Sequence, residues 1–276
     1  MKTRIISGVV GGLIFAAILI VSTPIVLESY YPWILKAAIS LLAAIGTWEI
    51  LNNTKIVKNK IISVLSSVFA AGAVVLFSSK YSDKGILAYF IFVAVLLTIS
   101  LFIHEKTSPT ELAAAQAYTL FIAFSFSTVV RLLYGYGVFA FILVFIFAWA
   151  SDTFAYFTGV FLGKHKLCPA LSPKKTIEGA VGGVVGCMIA VAAACLINDI
   201  PLSDPALWTL TLCTPIFSIM GMVGDISASY IKRHAGIKDY GNLMPGHGGV
   251  LDRFDSVLLI APVFYSLLCF FPTIMI

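Results

Sequence analysis

Long apolar runs alternate with short polar connections along the whole chain, and the connections carry nearly all of the charge. A helix needs about 20 apolar residues to cross a bilayer. Nine runs approach that length, roughly 5–27, 33–51, 61–79, 85–103, 112–133, 137–160, 177–197, 206–224 and 256–275. Irregular backbone cannot face lipid with unsatisfied N–H and C=O groups, so each run is predicted to be a helix and all nine to pack as one bundle. The first run is too long for a signal-peptide core and no clear cleavage site follows it, so it counts as a span. No connection is long enough to bury a core of its own. The expected fold is all-α, a polytopic integral membrane protein of about nine transmembrane helices. Residues 1–133 form an N-terminal set of about five spans, and residues 134–276 hold the candidate chemistry.

Nine spans put the two termini on opposite sides of the membrane, and Lys and Arg in the connections set the orientation. Of 18 basic residues, 14 fall on the N-terminal side: Lys2, Arg4, Lys55, Lys58, Lys60, Lys106, Lys164, Lys166, Lys174, Lys175, Lys232, Arg233, Lys238 and Arg253. That side is therefore expected to be cytoplasmic, and all four histidines share it. Composition agrees: of 276 residues 60% are hydrophobic and 11% charged, with a mean hydropathy of +1.01. A soluble domain carries about 25% charged residues. A water-soluble enzyme, a disordered chain and a disulfide scaffold are excluded. A net charge of +5 would suggest nucleic acid in a soluble protein. Here the positive charge is gathered at a membrane face, so no nucleic-acid partner is expected. Five cysteines form no CxxC pair and read as small apolar residues.

The first five spans are chemically quiet. Glu49 is an isolated carboxylate near the end of the second span and reads as a solvated or paired boundary residue. Ser108-Pro109 marks a helix start. The second half differs. Asp152 sits well inside the apolar run 137–160, where a carboxylate is costly and usually faces a partner or a wet cavity. Tyr156 shares its helix face, and Ser151 and Thr153 are candidates for the same cavity. Lys174, Lys175 and Thr176 then precede the next helix. A helix N-terminus with two lysines favours an anion. Phosphate binding and simple anchoring to anionic headgroups both fit. Gly179, Gly182, Gly183 and Gly186 follow at spacings that permit close helix packing.

The densest polar segment runs from 224 to 256. It holds Asp225, Asp239, Asp252 and Asp255 together with Lys232, Arg233, Lys238 and Arg253, and a Pro-Gly-His-Gly-Gly turn. Asp252 and Asp255 are three apart in the first turn of the last span. Carboxylates beside a basic cluster suit a divalent cation that bridges to phosphates. Mg²⁺ is typically held by one or two carboxylates and completes its shell with substrate oxygens and water. Glycines around His247, chiefly Gly248 and Gly249, let backbone approach a bulky polyphosphate. Phosphoryl or nucleotidyl transfer to a lipid follows as the expected chemistry, with positioning and charge neutralisation supplying most of the catalysis. No Walker-type or kinase glycine-rich loop is present.

The residues Ser229, Lys232-Arg233, Lys238-Asp239, Gly241, Met244-Pro245-Gly246-His247-Gly248-Gly249, Asp252-Arg253 and Asp255 resemble the signature of the phosphatidate cytidylyltransferases, or CDP-diacylglycerol synthases. Ser151-Asp152, Ala155-Tyr156 and Ser172-Pro173-Lys174-Lys175-Thr176 with Glu178-Gly179 resemble that family too. Together these segments cover about the last 130 residues. Met244 departs conservatively from the usual branched apolar residue or Phe. The resemblance implies that CTP and phosphatidate give CDP-diacylglycerol and pyrophosphate, in phospholipid biosynthesis at the inner, cytoplasmic membrane, with the active site facing the cytoplasm. It implies Mg²⁺, a potassium requirement and a homodimer.

In the expected mechanism Asp225 and Asp252 hold the metal, with Asp255 a third ligand or a brace for Arg253. Lys174, Lys175, Lys232, Arg233 and Arg253 neutralise and orient phosphates. Ser151, Asp152, Thr176, Ser229, Lys238, His247, Gly248 and Gly249 complete the substrate site. Two other readings fit parts of the pattern. A CTP-using lipid-alcohol kinase releases CDP and not pyrophosphate. A transporter built around Asp152 lacks an internal repeat here, and the charges lie at one face rather than the midplane.

Overall fold

The computed structural model describes residues 12–13, 15–23, 32–79, 82–243, 246, 248–271 and 274. Among them, seven helices are long and apolar enough to cross a membrane. They are α1 (Pro32–Trp48), α2 (Lys60–Phe77), α3 (Ser82–Phe102), α4 (Pro109–Leu162), α5 (Ile177–Ile197), α6 (Pro205–His234) and α7 (Leu251–Phe270). Among the described residues the fold is all-α apart from one two-stranded hairpin, β1 (Lys166–Cys168) and β2 (Ser172–Thr176), which the apolar pattern did not foretell. Of the expected first span, 5–27, residues 12–13 and 15–23 are described, and 12–13 and 15–22 are helical; the rest lies outside the described residues.

Helix boundaries follow local chemistry. Ser108 accepts a hydrogen bond from Glu111 N at 3.2 Å, and Pro109 opens α4. The runs 112–133 and 137–160 were expected as separate spans. They are the two helical segments of α4, which breaks between them at Gly137, whose φ of 87° leaves the helical path. The span expected over 206–224 continues as helix through His234. Nothing from Asp225 to Arg233 is a helix breaker, so the polar segment begins as helix and not as loop. It ends in a Schellman motif: Gly236, at φ 70°, donates to the Arg233 carbonyl at 3.2 Å and Ile237 to that of Lys232 at 2.9 Å.

The chain divides into two units, Met1–Val130 with Ile231–Phe254, and Arg131–Tyr230 with Asp255–Ile276. In the first, α1 packs on α2 and α2 on α3. Leu35, Ile39, Ala43, Ile62, Val74 and Phe126 are buried there. Beyond Trp48 the chain of α1 continues as a π-helical turn, Glu49–Asn53. Helix α3 exposes Leu87, Phe90, Ile91 and Leu101. A soluble protein avoids such an apolar face, and a lipid-facing helix requires it.

The second unit has an aromatic core. Phe147 and Phe217 have ring centroids 4.5 Å apart, and both lie 5.2 Å from Phe264. Helix α5 lies close against the second half of α4. A Cβ at Gly182 would run into Thr158, and one at Gly186 into Phe154. The glycine spacing is thus used for packing within the chain.

Candidate active site

The polar residues singled out from the sequence form two clusters, one in each unit. In the second unit the hairpin is held against the start of α5. Thr176 caps that helix by accepting from Gly179 N at 3.1 Å. Two residues on, Glu178 accepts from Lys164 N at 3.1 Å and from the His165 ring Nδ1 at 2.6 Å. Ile177 N donates to the His165 carbonyl at 2.9 Å. These bonds pin both ends of the hairpin and so fix the direction of β2, which carries Lys174 and Lys175.

Both lysines line a pocket of about 550 Å³, together with Asp152, Tyr156, Thr176 and Asp225. Lys175 Nζ lies 2.5 Å from Asp225 Oδ2, with side chains 22% and 30% exposed. The contact lacks hydrogen-bond geometry, and Nζ is otherwise buried without a hydrogen-bond partner. Asp152 opens on the same pocket, close enough to feel the charges of Asp225 and Lys175. Two carboxylates against one buried ammonium leave excess negative charge beside the exposed Lys174. Among the described residues, no three His, Cys, Asp or Glu side chains form a ready-made metal cage. Two hard carboxylates on one open pocket do match what Mg²⁺ takes from a protein when phosphate oxygens supply the rest. The donor set fits that ion.

Apolar side chains share the pocket. Val160, Leu167 and Met222 line it beside the polar groups. Exposed Phe157 and Phe161 follow on the same helix as Asp152. The pocket therefore offers charge for phosphates and an apolar wall for a lipid.

The first unit holds the other cluster. Asp252, in the first turn of α7, has a side chain only 3% exposed. Its Oδ1 accepts from Lys232 Nζ at 2.7 Å. Its Oδ2 accepts from Tyr240 N at 2.7 Å and Gly249 N at 2.9 Å. The Lys232 ammonium lies 5.2 Å from the centroid of the Tyr240 ring. Gly248, at φ 87°, passes so close that a Cβ would meet Asp252 Oδ2 at 2.7 Å. A Cβ at Gly249 would collide with the carboxylate of Glu49. The close approach these glycines permit is to the chain's own carboxylates.

The remaining expected residues are placed as follows. Ser151 is buried and its hydroxyl meets that of Ser218 at 2.6 Å; neither it nor Thr153 lines the pocket. Arg233, Lys238 and Arg253 are exposed, and Ser229 and Asp255 half-buried. Asp255 belongs to the unit that holds the pocket, and its Oδ1 accepts from Ser256 N at 2.8 Å. His247 lies outside the described residues. Sequence reasoning did not reach the Glu178–His165 clamp or the Tyr240 amide. It noted Glu49 without assigning its partners, although one carboxylate in an otherwise apolar run was the available signal.

A family model described as the cytidylyltransferase family matches residues 2–271. Among curated proteins, a phosphatidate cytidylyltransferase of Staphylococcus haemolyticus is 34% identical over 283 residues, covering 97% of this chain and 99% of that protein. The phosphatidate cytidylyltransferase of Bacillus subtilis is 32% identical over 284 residues, 98% of each. That of Staphylococcus aureus strain COL is 32% identical over 277 residues, covering 97% of this chain and 99% of the relative.

Proposed function

The chain belongs to the cytidylyltransferase family, and we propose that it transfers CMP from CTP to phosphatidate, giving CDP-diacylglycerol and pyrophosphate. The observation that carries this reading is the pocket itself. It sets two carboxylates and two lysines beside an apolar wall, as a polyphosphate and a lipid phosphate at one site require.

The phosphatidate phosphate is an anion near neutral pH and needs no strong general base. One of its oxygens attacks the α-phosphorus of CTP. The bond from that phosphorus to the bridging oxygen breaks, and pyrophosphate leaves with the electron pair. The barrier lies in bringing two polyanions together. Lys174 and Lys175 neutralise and orient phosphates in the pocket, and exposed Arg233, Lys238 and Arg253 are further phosphate ligands. Asp225 and Asp152 are the carboxylates that would hold Mg²⁺ there, with Asp255 a further candidate ligand. When bound, that ion supplies charge neutralisation at the α-phosphate and the departing pyrophosphate. Asp252, expected as a metal ligand, has oxygens taken by Lys232 and two amides, and we assign it and Lys232 to holding the backbone at Tyr240 and Gly249. The enzyme works as an integral protein of the cytoplasmic membrane, as a homodimer, with the pocket facing the cytoplasm and phosphatidate drawn from the adjacent leaflet. A potassium requirement completes this proposal.

Turnover in detergent tests the reaction, with phosphatidate, CTP and Mg²⁺ present and pyrophosphate and lipid product followed together. Equal amounts of pyrophosphate and CDP-diacylglycerol are expected. CDP formed from a lipid alcohol, with no pyrophosphate from phosphatidate, replaces the reading with a lipid kinase. Lys55→Ala serves as the control. Lys55 is exposed, and its backbone N–H donates to the Asn52 carbonyl at 3.1 Å. Turnover of this variant is expected within twofold of the starting enzyme.

A further inference from the structure

The first unit contains a buried carboxylate that the mechanism above does not use. Glu49 is 3% exposed. Its Oε1 accepts from Val250 N at 3.0 Å and its Oε2 from Leu251 N at 2.9 Å. Those amides belong to the start of α7, whose first N–H groups have no partner within the helix. Glu49 therefore caps, with both carboxylate oxygens, a helix some 200 residues away in sequence. Two glycines make room for it: a Cβ at Gly241 would stand 2.5 Å from Oε1, and Gly249 is closer still. Asn53, one turn on, donates to the Tyr240 carbonyl at 2.7 Å.

We propose that Glu49 is a positioning residue for nucleotidyl transfer: with Asp252 it fixes the backbone at 240 and 249–251, between the proposed phosphate ligands Lys238 and Arg253. The two carboxylates hold backbone amides on either side of the Gly249–Val250 peptide. Glu49 takes the amides of 250 and 251, and Asp252 takes those of 240 and 249. Gly249 and Val250 are consecutive residues held by different carboxylates, so a shift in one grip is passed directly to the other. An apolar span carries this carboxylate because the helix it caps must begin at Leu251. That start places Asp252 in the first turn and lets it reach back to Tyr240.

The inference rests on the proposed reaction for its kinetic arm alone; a second arm is independent of activity. Amide hydrogen exchange on purified Glu49→Gln in detergent reads the loop directly. A glutamine cannot accept from both amides, so exchange at Val250 and Leu251 rises. If the grips are coupled, exchange at Tyr240 and Gly249 rises at least tenfold as well, although both still face Asp252. In turnover the same variant loses at least tenfold in kcat, with the KM for CTP changed less than threefold. Adding Asp252→Asn brings no further loss of comparable size. Gly241→Ala pushes a methyl at Glu49 with the carboxylate intact and is expected to reproduce both effects, which covers a Glu49→Gln variant that does not fold. Unchanged exchange at Tyr240 and Gly249 in the variant that folds overturns the proposal. So does kcat within twofold in an active preparation, or losses that multiply with Asp252→Asn. Starting enzyme that makes no CDP-diacylglycerol sinks the reaction instead, and the exchange arm still decides the coupling.

Discussion

Asp225→Asn is expected to lower turnover on the order of 10²-fold, the usual loss when one preorganised charge is removed from a reacting phosphate site. The side chain is 30% exposed and α6 continues for nine residues past it, so the variant should still fold. What it loses is charge. Asp225 and Asp152 face one pocket, and Lys175 lies 2.5 Å from Asp225. Without the Asp225 carboxylate the pocket keeps one formal negative charge where it had two. If Asp225 is a metal ligand, the Mg²⁺ concentration for half-maximal activity rises at least tenfold, because fewer protein oxygens compete with water for the ion. Lys175→Met separates the two roles of the ion pair. It removes the partner of Asp225 and a phosphate ligand, so the KM for CTP should rise while half-saturation by Mg²⁺ stays near its starting value. Titrating Mg²⁺ and CTP against each variant gives both numbers. Near-normal turnover of Asp225→Asn with unchanged Mg²⁺ dependence removes the carboxylate from the metal site.

The sequence told most where one physical constraint dominates. A bilayer forces long apolar helices, and the expected spans from 33–51 to 256–275 correspond to α1 through α7, with two of them the segments of α4 on either side of Gly137. Asp152 and the Lys174-Lys175 pair read as one polar site because charge at the edge of lipid needs a reason, and the fold does gather them with Asp225. Features set by backbone detail were less legible. The hairpin over 166–176 has too few residues to show a period, and a single left-handed glycine decides where α4 breaks. The sequence marks the Gly248-Gly249 pair as a place where a polyphosphate can approach the backbone. In the structure a Cβ on either glycine would meet Asp252 or Glu49, and the second of these lies about 200 residues away, where no local pattern reaches.

Asp252→Asn is expected to be the most disruptive conservative change in the chain, for a reason of donor counting. The carboxylate accepts one charged donor on Oδ1 and two backbone donors on Oδ2, and its side chain is 3% exposed. An asparagine has one acceptor oxygen and one NH₂. Turned one way, its NH₂ meets the Lys232 ammonium. Turned the other, it meets the amides of Tyr240 and Gly249. Either way donors face donors, and Lys232, at 13% exposure, is left without a counter-charge. Breaking a buried pair from one side costs about 3–5 kcal/mol. Stability to denaturant in detergent should fall by about 3 kcal/mol on that scale, and turnover by well over tenfold. The double variant Lys232→Met/Asp252→Asn tests the cause. With the ammonium gone, the asparagine can turn its oxygen to the two amides and its NH₂ to the methionine. That arrangement removes the donor clash and the stranded charge together. The double variant should therefore be more stable than Asp252→Asn alone and regain part of the lost turnover, since the Tyr240 and Gly249 amides recover an acceptor. An Asp252→Asn protein as stable as the starting enzyme, or a double variant less stable than the single, shows that the Lys232–Asp252 pair does not brace the loop. The activity of the two variants then reports chemistry at Asp252 directly.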